Sequence, residues 1–458
     1  MNRNMNRIIL IISLLVMQTS FADTPKILPL KTQAAVIDRL LEDKVQTVLP
    51  QLMRDNNIDM WIVMAREYNE DPVIRTMLPA IWHAARRRTI LVMYDSGESN
   101  STAAAGIETM AVARYDVGSV FKKSWDKAQQ PDQWARLAEI IEEKQPNKIG
   151  LNFSNHFGQA DGVTHSEFQQ FKDSLKPKWQ NRIVSAEKLA VAWLETRTPA
   201  EMAVYPQIVN IAHTLLAEGL SEVAVQPGVT TTEDLVWWYR EKIKSLKLDT
   251  WFHPSVSVQR ADNDKFDHLR TFDKRPAENI IQAGDLIHVD FGITYLRLNT
   301  DTQQHAYVLK SGEKAAPDYL QQALQNANRL QDIFTGNFKV GRTGNEVLAM
   351  SRKQAIAEGI TPSIYTHPIG YYGHAAGTTL GMWDAQEGVP HKGDYPLHAN
   401  TAYAIELNAS TFIEAWNKEV RIMLEEDAFF DGKSVRYING RQTQLLLIPR
   451  QNHQVLGQ

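Results

Sequence analysis

Gly284-Asp285-Leu286-Ile287-His288-Val289-Asp290-Phe291-Gly292 is the stretch on which the reading of this chain turns. Gly284 and Asp285 make a turn, and the short apolar run Leu286 to Phe291 predicts a buried strand. Asp290 sits inside that run, where an unpaired carboxylate is costly. Asp301 follows eleven residues later, after Tyr295-Leu296-Arg297-Leu298. A symmetric return of the chain sets the two aspartates face to face across a hairpin, about 5 Å apart, where like charges repel. A cation between them removes the conflict.

Two more elements extend the pattern. Thr366-His367-Pro368-Ile369-Gly370-Tyr371-Tyr372-Gly373-His374 places two histidines seven residues apart among glycines 370, 373 and 377. Such glycines suit close backbone packing about a site. Ala402 to Leu407 is an apolar strand holding Glu406, and Val420 to Phe430 is another, carrying Glu425, Glu426 and Asp427. Strand alternation divides the last three. Glu426 shares a face with Val420, Ile422, Leu424 and Ala428, so it is predicted to be the inward acid, and it mirrors Glu406 about Trp416. Four inward carboxylates and one histidine, in a chain without cysteine, suit hard or borderline divalent ions. Mn²⁺ is the first candidate, with Co²⁺ or Zn²⁺ as alternatives. Four negative charges match two such ions.

Outward from this region the chain divides. Its 458 residues exceed what a single core usually holds. Residues 23–190 are expected to form an α/β domain, with helices over 32–56 and 132–144 alternating with strands at 60–64, 89–94 and 148–153. Residues 191–458 form the second expected domain, opened by Thr198-Pro199-Ala200-Glu201, a helix cap with proline in the first turn. Residues 1–22 read as a cleaved signal peptide: Arg3 and Arg7, the apolar run Ile8 to Met17, then Ser20-Phe21-Ala22. The mature chain then begins at Asp23, in a periplasmic or secreted location. The apolar run is too short for stable membrane insertion. The formal net charge of −4 gives no basic surface for nucleic acid. A homodimer is compatible with the sequence but not specified by it.

Taken together, these motifs resemble the methionine aminopeptidase, aminopeptidase P, prolidase and creatinase family. Its ligand order Asp, Asp, His, Glu, Glu is matched by Asp290, Asp301, His367, Glu406 and Glu426. The α/β segment upstream is similar to the N-terminal domain of the aminopeptidase P, prolidase and creatinase branch. The resemblance implies an α+β pita-bread catalytic domain after the α/β domain, two divalent metal ions and a peptide substrate. It implies Glu406 as proton shuttle, and His374 with an upstream histidine as donors to the substrate carbonyl. His268 fits the upstream spacing better than His253. The motif neighbours differ: Pro368 follows His367, Ala375 follows His374, and Leu407-Asn408 follows Glu406. The expected activity is release of the N-terminal residue from Xaa-Pro peptides. The alternatives are an Xaa-Pro dipeptidase or a metal-free binding protein of the same fold. All five ligand types being present argues against the last.

Overall fold

The computed structural model describes residues 25–97, 106–262 and 279–451. The proposed signal peptide and His268 lie outside that range. Among the described residues no helix is long and apolar enough to cross a membrane.

The first sheet contains β1 (Met60–Arg66), β2 (Arg88–Asp95), β3 (Ile107–Val112), β4 (Lys122–Lys123), β5 (Ile149–Leu151) and β6 (Ile183–Ser185), in the order β4-β3-β2-β1-β5-β6. It is buried on both faces. One packs on a cluster with Trp61, Val63 and Trp193, the other on Ile62, Ile90, Trp134 and Phe171. Such double burial explains why β1 reads as a continuous apolar run. The helix predicted over 32–56 is instead two helices, Leu30–Thr47 and Leu49–Asp55. Pro50 stands in the first turn of the second, where its missing N–H costs nothing.

Among the described residues the second sheet has nine strands. Its main path is β12 (Thr361–Ile364), β14 (Thr401–Ile413), β15 (Lys418–Phe430), β11 (Thr302–Val308), β8 (Leu286–Phe291) and β7 (Ser255–Gln259). β13 (His367–Pro368) pairs with β14, β16 (Val435–Tyr437) with β15, and β17 (Leu446–Ile448) with β11. A small ribbon of β9 (Thr294–Tyr295) and β10 (Leu298–Asn299) connects β8 to β11.

Helices Pro199–Gly219 and Thr232–Ser245 pack with Val289 and Phe291. The helix Asp318–Gly336 covers Ile405, Leu407, Ile422 and Leu424. The capping box predicted at Thr198 forms, with Glu201 N–H donating to Thr198 Oγ1 at 3.1 Å and Thr198 N–H donating to Glu201 Oε2 at 2.8 Å. The two sheet regions touch where Arg297 donates to the Leu78 and Pro79 carbonyls, at 2.6 and 3.2 Å.

Candidate metal centre

Four strands, β8, β13, β14 and β15, and the segment just before β11 deliver the candidate ligands. Antiparallel pairing sets Asp290 opposite Gln303, not opposite Asp301. Asp301 lies just before β11, so it meets Asp290 diagonally. The expectation of direct opposition is therefore corrected. The β9–β10 ribbon shifts the return of the chain by two residues, and the two acids still share one face of the sheet.

On the second hairpin Glu406 is opposed to Glu425, while Glu426 is opposed to Ile405. Glu426 therefore points to the face away from the site. Its Oε2 lies 2.7 Å from His213 Nε2, and its Oε1 accepts from Gln304 Nε2 at 2.9 Å and Gln442 N–H at 3.1 Å. The sequence reading of Glu426 as the inward acid is overturned, and Glu425 takes its place. The physical reason is burial on both sides. The apolar face of β15 is inward toward the covering helix, whereas the polar face is inward toward the site.

The resulting cluster is compact. Ligand atoms of Asp290, Asp301 and Glu425 lie within 4.8 Å of one another, as do those of His367, Glu406 and Glu425. His367 Nε2 is 3.7 Å from both Asp301 Oδ2 and Glu425 Oε1. His367 Nδ1 lies 3.0 Å from the Pro368 carbonyl, so the ring's proton belongs on Nδ1 and a lone pair remains on Nε2. Burial, reinforced by His374, pulls His367 down to about 3, keeping it neutral.

The carboxylates move the other way. Burial pushes Asp290 up to about 7. Burial and then the charge of Asp290 push Glu406 up to about 8. Burial, then the charges of Asp290 and Glu406, hold Asp301 well above the usual carboxylate range, and burial, then the charges of Asp301 and Glu406, do the same for Glu425. Asp290 Oδ1, Asp301 Oδ1, His367 Nε2 and Glu425 Oε1 are all buried without a hydrogen-bond partner. Four orphaned acceptors converging on one volume are what a cation would satisfy. The donor set of carboxylate oxygens plus one imidazole fits divalent metal ions.

Several neighbours escaped the sequence reading. Gln303 Nε2 donates to Glu406 Oε1 at 2.9 Å and Glu425 Oε2 at 2.8 Å, while Gln303 Oε1 meets His288 Nε2 at 2.9 Å. Asp427 accepts from Asp301 N–H at 3.3 Å and shares Glu425's side of β15. Both lie two residues beyond a ligand on the same strand face, a spacing visible in the sequence. A role for either needed the partner strand, which is not.

His374 stands over the cluster, exposed, with its ring centroid 4.6 Å from that of His367. A ring nitrogen of His374 also lies within 4.8 Å of ligand atoms of Asp301 and His367. Gln159, from the first sheet region, donates to the His374 carbonyl at 2.7 Å. His253 is engaged elsewhere: its Nδ1 lies 2.8 Å from Arg240 Nη1, and its ring meets Trp237 edge-on.

The family model described as metallopeptidase family M24 matches residues 207–436. Among solved structures, an X-Pro aminopeptidase from Thermotoga maritima MSB8 is similar at 15% identity and a TM-score of 0.59, over 87% of this chain and 99% of that one. An Xaa-Pro dipeptidase from Bacillus anthracis is similar at 15% identity and 0.54, over 92% and 100%. A prolidase from Pyrococcus furiosus is similar at 13% identity and 0.52, over 86% and 99%. These likenesses show the fold, the pita-bread with a preceding N-terminal domain. No protein of curated function matches the sequence significantly.

Proposed function

The chain belongs to metallopeptidase family M24, and from that premise we propose that it is a dinuclear-metal aminopeptidase releasing the N-terminal residue from Xaa-Pro peptides. The observation that carries the reading is the convergence of four orphaned, buried ligand atoms from Asp290, Asp301, His367 and Glu425. Glu406 completes the set. Mn²⁺ is the proposed metal, with Co²⁺ or Zn²⁺ as alternatives. When bound, two divalent ions supply acidification of a water and polarisation of the scissile carbonyl.

The chain's own groups supply the rest. Glu406 is only partly buried, so a reacting water can reach it. The carboxylate oxygen that Gln303 does not hold takes the proton of that water and returns it to the departing proline nitrogen. Gln303 fixes the other oxygen and thereby the direction of the lone pairs. His374 projects a ring N–H over the same volume and donates to the carbonyl oxygen as it gains charge. The upstream donor remains His268 by spacing. His253 is the alternative, though its Nδ1 is occupied by Arg240.

The second reading is an Xaa-Pro dipeptidase, supported by the similarity to the Bacillus anthracis enzyme. Purified protein should be loaded with Mn²⁺ and given Xaa-Pro dipeptides and Xaa-Pro-Yaa tripeptides. Faster turnover of the tripeptides supports the aminopeptidase. Turnover of dipeptides alone replaces it with the dipeptidase. No bound metal, with no hydrolysis of either, removes both readings and leaves a binding protein.

We also propose export, with the mature chain starting at Asp23. N-terminal sequencing of protein from fractionated native cells should find Asp23 outside the cytoplasm. A cytoplasmic chain retaining Met1 or Met5 would end that proposal.

A further inference from the structure

Beside the carboxylate cluster stands a feature that metal binding does not require. Trp251 is only partly buried, yet its position is specified from several directions. Its Nε1 donates to the Thr300 carbonyl at 3.0 Å, one residue before Asp301. Its ring meets His374 edge-on, with centroids 5.0 Å apart. Phe252 packs against it at 4.4 Å.

Two glycines make room for this pair. A Cβ on Gly373 would lie 2.2 Å from Trp251 Cε2, and one on Gly292 would lie 2.6 Å from Phe252 Cε1 and 3.0 Å from Trp251 Nε1. Gly373 immediately precedes His374, and Gly292 follows Asp290 by two residues. A side chain at Gly373 would collide with the indole, and one at Gly292 would meet the Thr300 carbonyl, at 2.3 Å, before the two rings. Tyr365 is also near His374, with ring centroids 6.0 Å apart. His374 is thus flanked by aromatic rings, next to a floor of carboxylates.

We propose that Trp251 is a specificity-determining wall of the substrate cleft, against which the ring of the proline after the scissile bond packs. This rests on the peptidase reading above. A substrate held with its carbonyl under His374 brings the residue that follows the bond alongside the rings next to that histidine. A proline ring is compact and uncharged, and its polarised C–H groups suit an aromatic face. An alanine at the same position covers less of the indole, and a charged side chain finds no counter-charge on it.

The test uses full-length, metal-loaded protein and the variants Trp251→Ala and Trp251→Phe. Each is assayed on matched Xaa-Pro-Yaa and Xaa-Ala-Yaa peptides, with metal content measured alongside. Trp251→Ala should raise KM for the proline peptide about tenfold, while the alanine peptide changes little. Trp251→Phe should restore most of the preference. Metal content should be unchanged in both.

Binding of uncleavable analogues, with the Xaa–Pro or Xaa–Ala amide reduced to an amine, gives a readout independent of turnover. Wild type should prefer the proline analogue, and Trp251→Ala should lose that preference. If wild type cleaves neither peptide but still discriminates the analogues through Trp251, the peptidase reading fails and the wall stands. An unchanged proline-to-alanine ratio in Trp251→Ala, in folded protein with normal metal content, overturns the proposal. So does a wild type without preference in either readout.

Discussion

At the scale of single residues, adjacent acids on one strand have opposite tasks. Glu425 leaves Oε1 buried and unpartnered toward His367, whereas Glu426 is enclosed by His213, Gln304 and Gln442. Glu425→Gln should therefore lower the metal:protein ratio and abolish hydrolysis with the fold retained. Glu426→Gln should keep its metal and instead unfold earlier, by about 1–3 kcal/mol, because buried hydrogen-bond partners lose their acceptor charge. Metal analysis and denaturant melts on both variants decide it; metal loss confined to Glu426→Gln would restore the opposite assignment.

The same acids set a pH dependence. Asp290 is raised to about 7 and Glu406 to about 8 in the metal-free chain. Values raised on folding mean that these groups favour the metal-free fold fully below about pH 4, and that contribution fades as pH rises through the raised values. Divalent metals must displace the retained protons, so apparent affinity should climb between about pH 6 and 8 and then level off. Calorimetric titration with Mn²⁺ in buffers of different ionisation heat should record more protons released at the lower pH. Equal release at both ends would refute the shifts.

At the scale of elements, the β14–β15 hairpin decides which acids meet. Its last pair is Ile413 with Lys418, leaving a four-residue loop, Glu414 to Asn417. The centre of the hairpin therefore falls between Ala415 and Trp416. A mirror placed on Trp416 itself is half a residue off, enough to exchange Glu425 for Glu426, because strand side chains alternate with period two. Asn417 closes the loop in the left-handed region, at φ 49°. Asn417→Gly should be tolerated, and Asn417→Val should cost about 1–2 kcal/mol, read as a lower denaturant midpoint. Equal midpoints for the two variants would show that the turn does not hold the register. The pairing that this turn imposes along thirteen-residue strands was not legible in the sequence, since register is a property of two strands together.

At the scale of the whole molecule, the two sheet regions are joined by specific polar contacts. Arg297 reaches from the β9–β10 ribbon to the Leu78 and Pro79 carbonyls, and Gln159 reaches back to the His374 carbonyl. Arg297→Ala should leave those carbonyls without their donor and cost about 1.5–3 kcal/mol. The expected signature is earlier thermal exposure of residues 30–190, followed by hydrogen exchange, with metal affinity unaltered. Exchange that is uniform with wild type would mean that the junction does not depend on this arginine.

The sequence by itself determined the types and order of the residues that come together in the cluster, and most of their positions. A carboxylate inside an apolar run is costly wherever it occurs, so Asp290 and Glu406 stood out without any coordinates. The capping box at Thr198 was equally legible, because a cap is formed by residues three apart. Tertiary structure alone decided that Glu425 faces the carboxylate cluster, that Asp290 and Asp301 meet on a diagonal, and that Gln303 bridges two of the acids. Both faces of β15 are buried, one under a helix and one over charge, so hydrophobicity along the strand could not say which burial was functional. Only the partner strands and the covering helix distinguish the two.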